Sequence, residues 1–157
     1  MSVFLINTVI FFIAGAGCLV VGSIILNNPP IHDPPGFAER FKTYLTTNVA
    51  ETRTNHPFPE LELRCYPTTP KLLFTRIEHA VNLLGWDILD SDPAQYRLHA
   101  IVVTSLLKFK DDVDIHLNLA SCGTELHIRS SSRVGRGDLG ANTRHILDLM
   151  TTLERQI

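Results

Sequence analysis

The sequence predicts an α+β fold. It is an antiparallel five-stranded sheet with two helices on one face, ordered strand, helix, four strands, helix, behind one N-terminal transmembrane helix. Three observations carry this. Residues 3–26, VFLINTVIFFIAGAGCLVVGSIIL, form an uncharged, mostly apolar run, long enough to cross a ~30 Å hydrocarbon core as a helix. Val113, Ile115, Leu117 and Leu119 alternate with Asp112, Asp114, His116 and Asn118, the period of a strand with one buried and one exposed face. Two other stretches, near residues 70–84 and 141–156, carry apolar residues at helical spacing.

The expected organisation is a transmembrane helix at 1–27, a proline-rich linker with an amphipathic helix at 28–59, and the α+β domain at 60–157. A cleaved signal peptide would open on basic residues and have a shorter apolar core. A lipoprotein signal would place its cysteine after the core, but apolar residues continue past Cys18. A buried soluble helix of this length would show a polar side. Within the run Ala14, Gly15, Cys18 and Gly22 form a small-residue seam that would let another helix approach closely. Beyond it about 120 residues remain, enough for one domain with a modest core. A net charge of −2 argues against a nucleic-acid partner held by bulk charge. The cysteines Cys18, Cys65 and Cys122 have no CxxC spacing, which argues against zinc. Cys65 and Cys122 could pair in an oxidising compartment, and spacing leaves that open.

In chain order, Asn27 to Gly36 is NNPPIHDPPG, a stiff spacer that cannot continue a helix. Phe37, Phe41, Leu45 and Val49 then recur every fourth residue, with Glu39, Arg40 and Lys42 off the stripe. This predicts a helix packing its phenylalanine face, with the bilayer surface as the other use of that face. Residues 51–59 read as loop and Leu61–Tyr66 as a short strand. Thr69 caps a helix with Pro70 in its first turn. Its apolar face is Leu72, Leu73, Ile77, Ala80, Val81 and Leu84, and Gly85 ends it. Trp86–Leu89 is the second strand, closed by Asp90-Ser91-Asp92-Pro93. Gln95–Phe109 is the third.

The fourth and fifth strands form a hairpin whose apolar faces fix the register. Leu117 opposes Leu126 and Ile115 opposes Ile128; on the other face Asp114 meets Arg129, His116 meets His127 and Asn118 meets Glu125. The last helix, Ala141–Gln156, turns Ile146, Leu149, Met150 and Leu153 inward. Both helices must cover the one apolar sheet face. The order matches folds of the TATA-binding-protein type, with a small helix-grip fold as the alternative, and implies no DNA binding.

The stretch between the last strand and last helix, SSSRVGRGDLGANTRHI at 130–146, holds the candidate site. Gly135 to Gly140 spells GxGxxG, but a dinucleotide fingerprint needs a further strand and an acidic residue about twenty positions on, which this chain does not supply. Glycine-rich backbone before a helix start can present N–H groups to an anion, and arginines can clasp it. The candidate anion site is therefore Arg129, Ser132, Arg133, Gly135, Arg136, Gly137, Asp138 and Asn142, with Arg144 nearby. The competing expectation is an internal network, with Arg133 paired to Asp111, Asp112 or Asp138, and Asp138 capping the helix. Asp111-Asp112 read as an acidic turn that could share a proton or hold a cation, or simply be solvated. The His116/His127 pair could hold a metal but is expected not to, and no cofactor is expected. No nucleophile has diagnostic spacing.

Residues 129–142, RSSSRVGRGDLGAN, resemble the signature of domain-of-unknown-function family 1499. Phe109-Lys110-Asp111-Asp112 is similar to that family's acidic turn, and Leu84-Gly85-Trp86 to its helix-to-strand step. The resemblance runs from Pro67 onward and departs at His145, where an arginine is expected. It implies no established activity. It does imply bacterial and plastid proteins, often exported or lipid-anchored, and so a body on the periplasmic or lumenal side of an inner or thylakoid-type membrane. The sparse charges Arg40 and Lys42 lean the other way. The function expected is a non-enzymatic accessory subunit, single-pass, beside other membrane-protein subunits of a photosynthetic or respiratory assembly. An anion- or small-ligand-binding module is the alternative, and a hydrolase using Asp111 and Asp112 a weaker one.

Overall fold

The computed structural model describes residues 3–104 and 108–156, without the side chains of Val3 and Phe4. Residues 105–107 of the expected third strand lie outside the described residues. The elements are α1 (Val3–Asn27), α2 (Phe37–Thr46), β1 (Val49–Glu51), a 3-10 turn at Pro59–Leu61, β2 (Arg64–Tyr66), α3 (Pro70–Leu83), β3 (Asp87–Asp92), β4 (Arg97–Val103), β5 (Lys110–Ala120), β6 (Gly123–Ser132) and α4 (Ala141–Glu154).

The sheet is antiparallel with six strands, in the order β1-β6-β5-β4-β3, and β2 also pairs with β6. It thus has one strand more than the five expected. β1 meets Arg129–Ser131 and β2 meets Thr124–Leu126, so two short strands share one edge of β6. Thr52 bridges between them: its N–H donates to Ile128 O and its Oγ1 accepts from Ile128 N, both at 2.9 Å. Three residues are too few to display a period. What makes β1 a strand is the row of unpaired backbone groups along β6.

The β5–β6 hairpin pairs Leu117 with Leu126, Ile115 with Ile128, Asp114 with Arg129, His116 with His127 and Asn118 with Glu125. The inner face, with Val113, Ile115, Leu117, Leu126 and Ile128, is buried under α3 and α4, which also touch each other. α4 buries Ile146, Leu149, Met150 and Leu153. α3 starts at Thr69, whose side chain accepts from Leu72 N. It buries Phe74 and leaves Leu72 exposed, a small rotation of the expected face.

The segment expected as a linker belongs to the packed body. Tyr44, Ala50, Phe58 and Leu61 are core residues, and the packing face of α2 is the reverse of the one expected. Arg40, fully buried, faces inward with Tyr44, while Phe37 and Leu45 are exposed and Phe37 stacks on Phe41 and His32. The Arg40 guanidinium donates to both Glu60 carboxylate oxygens at 2.6 and 2.8 Å, to Tyr44 Oη, and to the Asp33 and Pro34 carbonyls. Its plane lies 4.3 Å over the Phe58 ring. A buried arginine is tolerated when its donors are matched in this way.

Cys65 and Cys122 are joined by a disulfide, tying β2 to the β5–β6 turn. α1 carries a segment, Leu5–Asn27, long and apolar enough to cross a membrane, and little of it is buried in the body. That is compatible with a membrane anchor.

Two stability outcomes follow from these contacts. Arg40→Met strands the Glu60 carboxylate and should lower unfolding stability by ~3–5 kcal/mol in urea titration. Replacing Cys65 and Cys122 together by serine opens a link spanning 57 positions and should cost ~4 kcal/mol in the same assay.

Candidate functional site

The loop from Ser132 to Asn142 is built by close approach. A Cβ on Gly137 would stand 2.3 Å from the Leu45 carbonyl oxygen, and one on Gly140 would stand 2.5 Å from the Pro29 ring, at a φ of +82° that disfavours side chains. The Asp138 and Leu139 N–H groups donate to Thr47 O and Tyr44 O. Asp138 then closes the α4 N-terminus, its carboxylate accepting from Gly140 N at 2.8 Å and Asn142 N at 3.2 Å.

The arginines proposed for an anion go to separate partners. Arg133 forms a two-point pair with Asp112, at 2.8 and 2.6 Å. Arg129 lies 3.8 Å from Asp114 and donates to Ser131. Arg144 pairs with Asp148 one turn along α4. Arg136 is exposed. Gly135 O accepts from Asn48 Nδ2.

Asp111 and Asp112 do not act as one acidic turn, because both lie within β5 and alternation sends them to opposite faces. Asp112 faces outward, where Arg133, and behind it His99 at 3.2 Å, hold its carboxyl below the usual carboxylate range. On that outer face His116 and His127 stack at 4.5 Å. Among the described residues no three His, Cys, Asp or Glu side chains are placed to hold a metal ion together.

Asp111 faces inward opposite Ser132 and is fully buried; neither carboxylate oxygen has a hydrogen-bond partner. Burial pushes it up, with Ser132 opposing. Around it lies a buried polar cluster. Ser130 Oγ donates to Asn142 Oδ1 at 2.6 Å, and Asn142 Nδ2 donates to Asn48 O and Ser132 Oγ. His145 Nδ1 lies 3.3 Å from Ser130 Oγ and 3.7 Å from Asp111 Oδ2. Burial lowers the His145 pKa to about 4, so its ring is neutral at pH 7. Burial also raises Asp138 to about 6 against the pull of the helix N–H groups. Both Ser130 and His145 are buried, and one ring nitrogen faces both of its neighbours, so the cluster is not a serine–histidine–aspartate relay.

Two cavities meet Asp138. One, of about 510 Å³, has buried walls of Tyr44, Phe58, Leu61 and Thr143, with Arg53 and Arg129 among its exposed rim. The other, of about 60 Å³, lies against the foot of α1 and is lined by Asp111 and Asp138 among others.

The family model described as "Protein of unknown function (DUF1499)" matches residues 29–153. The chain belongs to this family. The match begins well upstream of Pro67, in keeping with α2 and β1 being part of the folded body. No curated protein matches the chain. Among solved structures, the crystal structure of Ara h 8.0201 is similar at TM-score 0.46 and 12% identity, over 69% of this chain and 95% of that one.

Sequence reasoning missed the inward carboxylate, His145 and the foot of α1. The signal for the first was present: Asp111 is in phase with Val113 and Ile115, the buried set of β5.

Two opposed titrations follow from this cluster. Asp138 is raised in the fold, so its contribution to stability is lost as pH rises from about 4 to about 6. His145 is lowered in the fold, so its contribution is lost as pH falls from 6.5 to about 4. Asp138→Asn should therefore expose an acid-side loss of ~2–3 kcal/mol, and His145→Gln a gain of similar size on acidification. Urea unfolding across that window checks both.

Proposed function

We propose that the chain is a membrane-anchored, non-enzymatic accessory subunit that holds its body at a fixed attitude beside a larger membrane assembly, of the photosynthetic or respiratory kind. The observation that carries this is the seating of the helix foot. Ser23 is buried, Asn27 Nδ2 donates to Leu139 O at 3.0 Å, and Pro29 packs against Gly140. Phe11, Phe12 and Ile13, higher on the same helix, are 67–76% exposed. A flexible tether needs no such socket, and cleavage of the helix would uncover one. The small seam of Ala14, Gly15, Cys18 and Gly22 and the outward Phe37 and Leu45 supply apolar surface for lipid or a neighbouring helix.

The disulfide supports a body on the oxidising side, periplasmic or lumenal, with the N-terminus inside. A second reading, a small-ligand module, is favoured by the cavity of about 510 Å³, a size typical of ligand pockets. Its polar contacts would come from Arg53, Arg129 and Asp138 rather than from the whole arginine–glycine loop.

Extraction of the intact chain in mild detergent should yield co-migrating membrane proteins; a lone monomer argues against the subunit reading. In cells, alkylation before reduction should label Cys18 alone. Labelling of Cys65 and Cys122 would place the body on the reducing side.

A further inference from the structure

Buried carboxylates are almost always hydrogen-bonded or paired. Asp111 is 0% exposed and neither of its oxygens has a hydrogen bond, and the Ser132 side chain offsets only part of the burial. The basic group beside it, His145 Nδ1 at 3.7 Å, is neutral at pH 7. The arginine that neutralises the acidic pair, Arg133, serves Asp112 on the opposite face of the sheet. Asp111 lines the cavity of about 60 Å³, together with Asp138, Ser132, Thr104, Ser23 and Asn27. A space of that size admits a single ion with a water or two, and no organic ligand of drug size.

We propose that this cavity is a binding site for a hard cation of the calcium class, held by the Asp111 and Asp138 carboxylates and neutral oxygens of Ser132, Thr104, Ser23 and Asn27. Every one of these donors is an oxygen. Asn27 spends its amide N–H on Leu139 O and keeps its own carbonyl oxygen as an acceptor. All-oxygen sets select hard cations over zinc or copper. The donors come from α1, β5, β6, the end of β4 and the loop before α4, an irregular set suited to calcium's variable coordination and ill suited to the strict octahedron of magnesium. Two carboxylates place the affinity at the weak end of biological calcium sites, with Kd of ~10⁻⁴ to 10⁻³ M. Bound there, the ion joins the foot of α1 to the sheet. The site stands whether or not α1 resides in a membrane, since it requires only that the helix be present.

The test uses the full chain in mild detergent, stripped of metal by chelation and held at about pH 8, above the range in which Asp138 protonates. Calorimetric titration with calcium chloride should show one saturable site, and saturating calcium should raise the unfolding midpoint. Magnesium should bind at least ~10-fold more weakly. Asp111→Asn should weaken calcium at least ~10-fold while leaving the metal-free midpoint equal or higher, because an uncompensated charge has gone. Asp114→Asn, on the outer face, should bind as the parent does. Should Asp111→Asn not fold, the double variant Asn27→Ala, Ser132→Ala tests the same cavity by the same loss of affinity. Absence of saturable binding in the parent overturns the proposal, as does parental affinity in either cavity variant. A higher midpoint in Asp111→Asn with a parent indifferent to calcium also overturns it, marking Asp111 as a protonated acid. Equal magnesium and calcium affinity overturns the assignment of class. Partner co-purification does not enter these readouts, so failure here and failure of the subunit reading are separable.

Discussion

The corner from Gly137 to Asn142 is the constraint on which the rest of the structure depends. Three helices meet there at backbone distance. The C-terminal end of α2 supplies Tyr44, Leu45 and Thr47 carbonyls to it, α1 supplies Asn27 and the turn after it Pro29, and α4 begins from it. Neither Gly137 nor Gly140 leaves room for a methyl group. A side chain at Gly137 would have to push α2 away, and the hydrogen bonds at 3.0 and 3.3 Å from Leu139 and Asp138 would open with it; one at Gly140 would displace Pro29. The run of glycines that looks like a phosphate cradle is thus filled by the protein's own backbone. The N–H groups of Asp138, Leu139, Gly140 and Asn142 point at helix-end carbonyls and at the Asp138 carboxylate, not at open space.

How much of this was legible in the sequence depends on how far each signal reaches along the chain. The β5–β6 register was legible because strict alternation over two adjacent strands permits only one in-phase pairing. The faces of α2 were not. Its phenylalanine spacing describes an amphipathic helix correctly, but which side packs is decided by Glu60 and Phe58, some twenty residues downstream. A buried arginine becomes favourable only when those partners exist in space. β1 was illegible for a similar reason, since its existence is owed to the free edge of β6. In the candidate site, the grouping of Asp111 with Asp112 was not legible. Asp111 and Asp112 are adjacent in sequence, and in a strand adjacency means separation to opposite faces.

That separation gives the sheet two electrostatic characters. On the outer face, carboxylates and bases are matched: Asp112 with Arg133 and His99, Asp114 with His99 and Arg129, Glu125 with His127. Being partly solvated, such pairs contribute little individually. On the inner face Asp111 sits among apolar core residues with a neutral His145 as the nearby base, and Asp138, half-buried in the loop before α4, borders the same cavity. A domain of this size has only ~5–15 kcal/mol of net stability. A buried acid beside an uncharged imidazole draws on it, and a fold under no other demand would replace it with an apolar side chain.

The position of those acids bears on what the anchor can do. At 1.5 Å per residue the 25 residues of α1 make a rod of ~37 Å. A small tilt at its foot therefore moves the far end by several ångströms. Pro29 and Pro30 prevent the helix from simply running on into the body, so its angle is set by side contacts at its foot, Ser23, Asn27 and Pro29 among them. Ser23 and Asn27 also line the Asp111 cavity. Whatever settles the charge there, a proton or an ion, acts on the same few atoms that fix the rod. The inward acid Asp111 and the seated foot of α1 therefore share one cavity, and a change of charge at Asp111 is felt directly by Ser23 and Asn27.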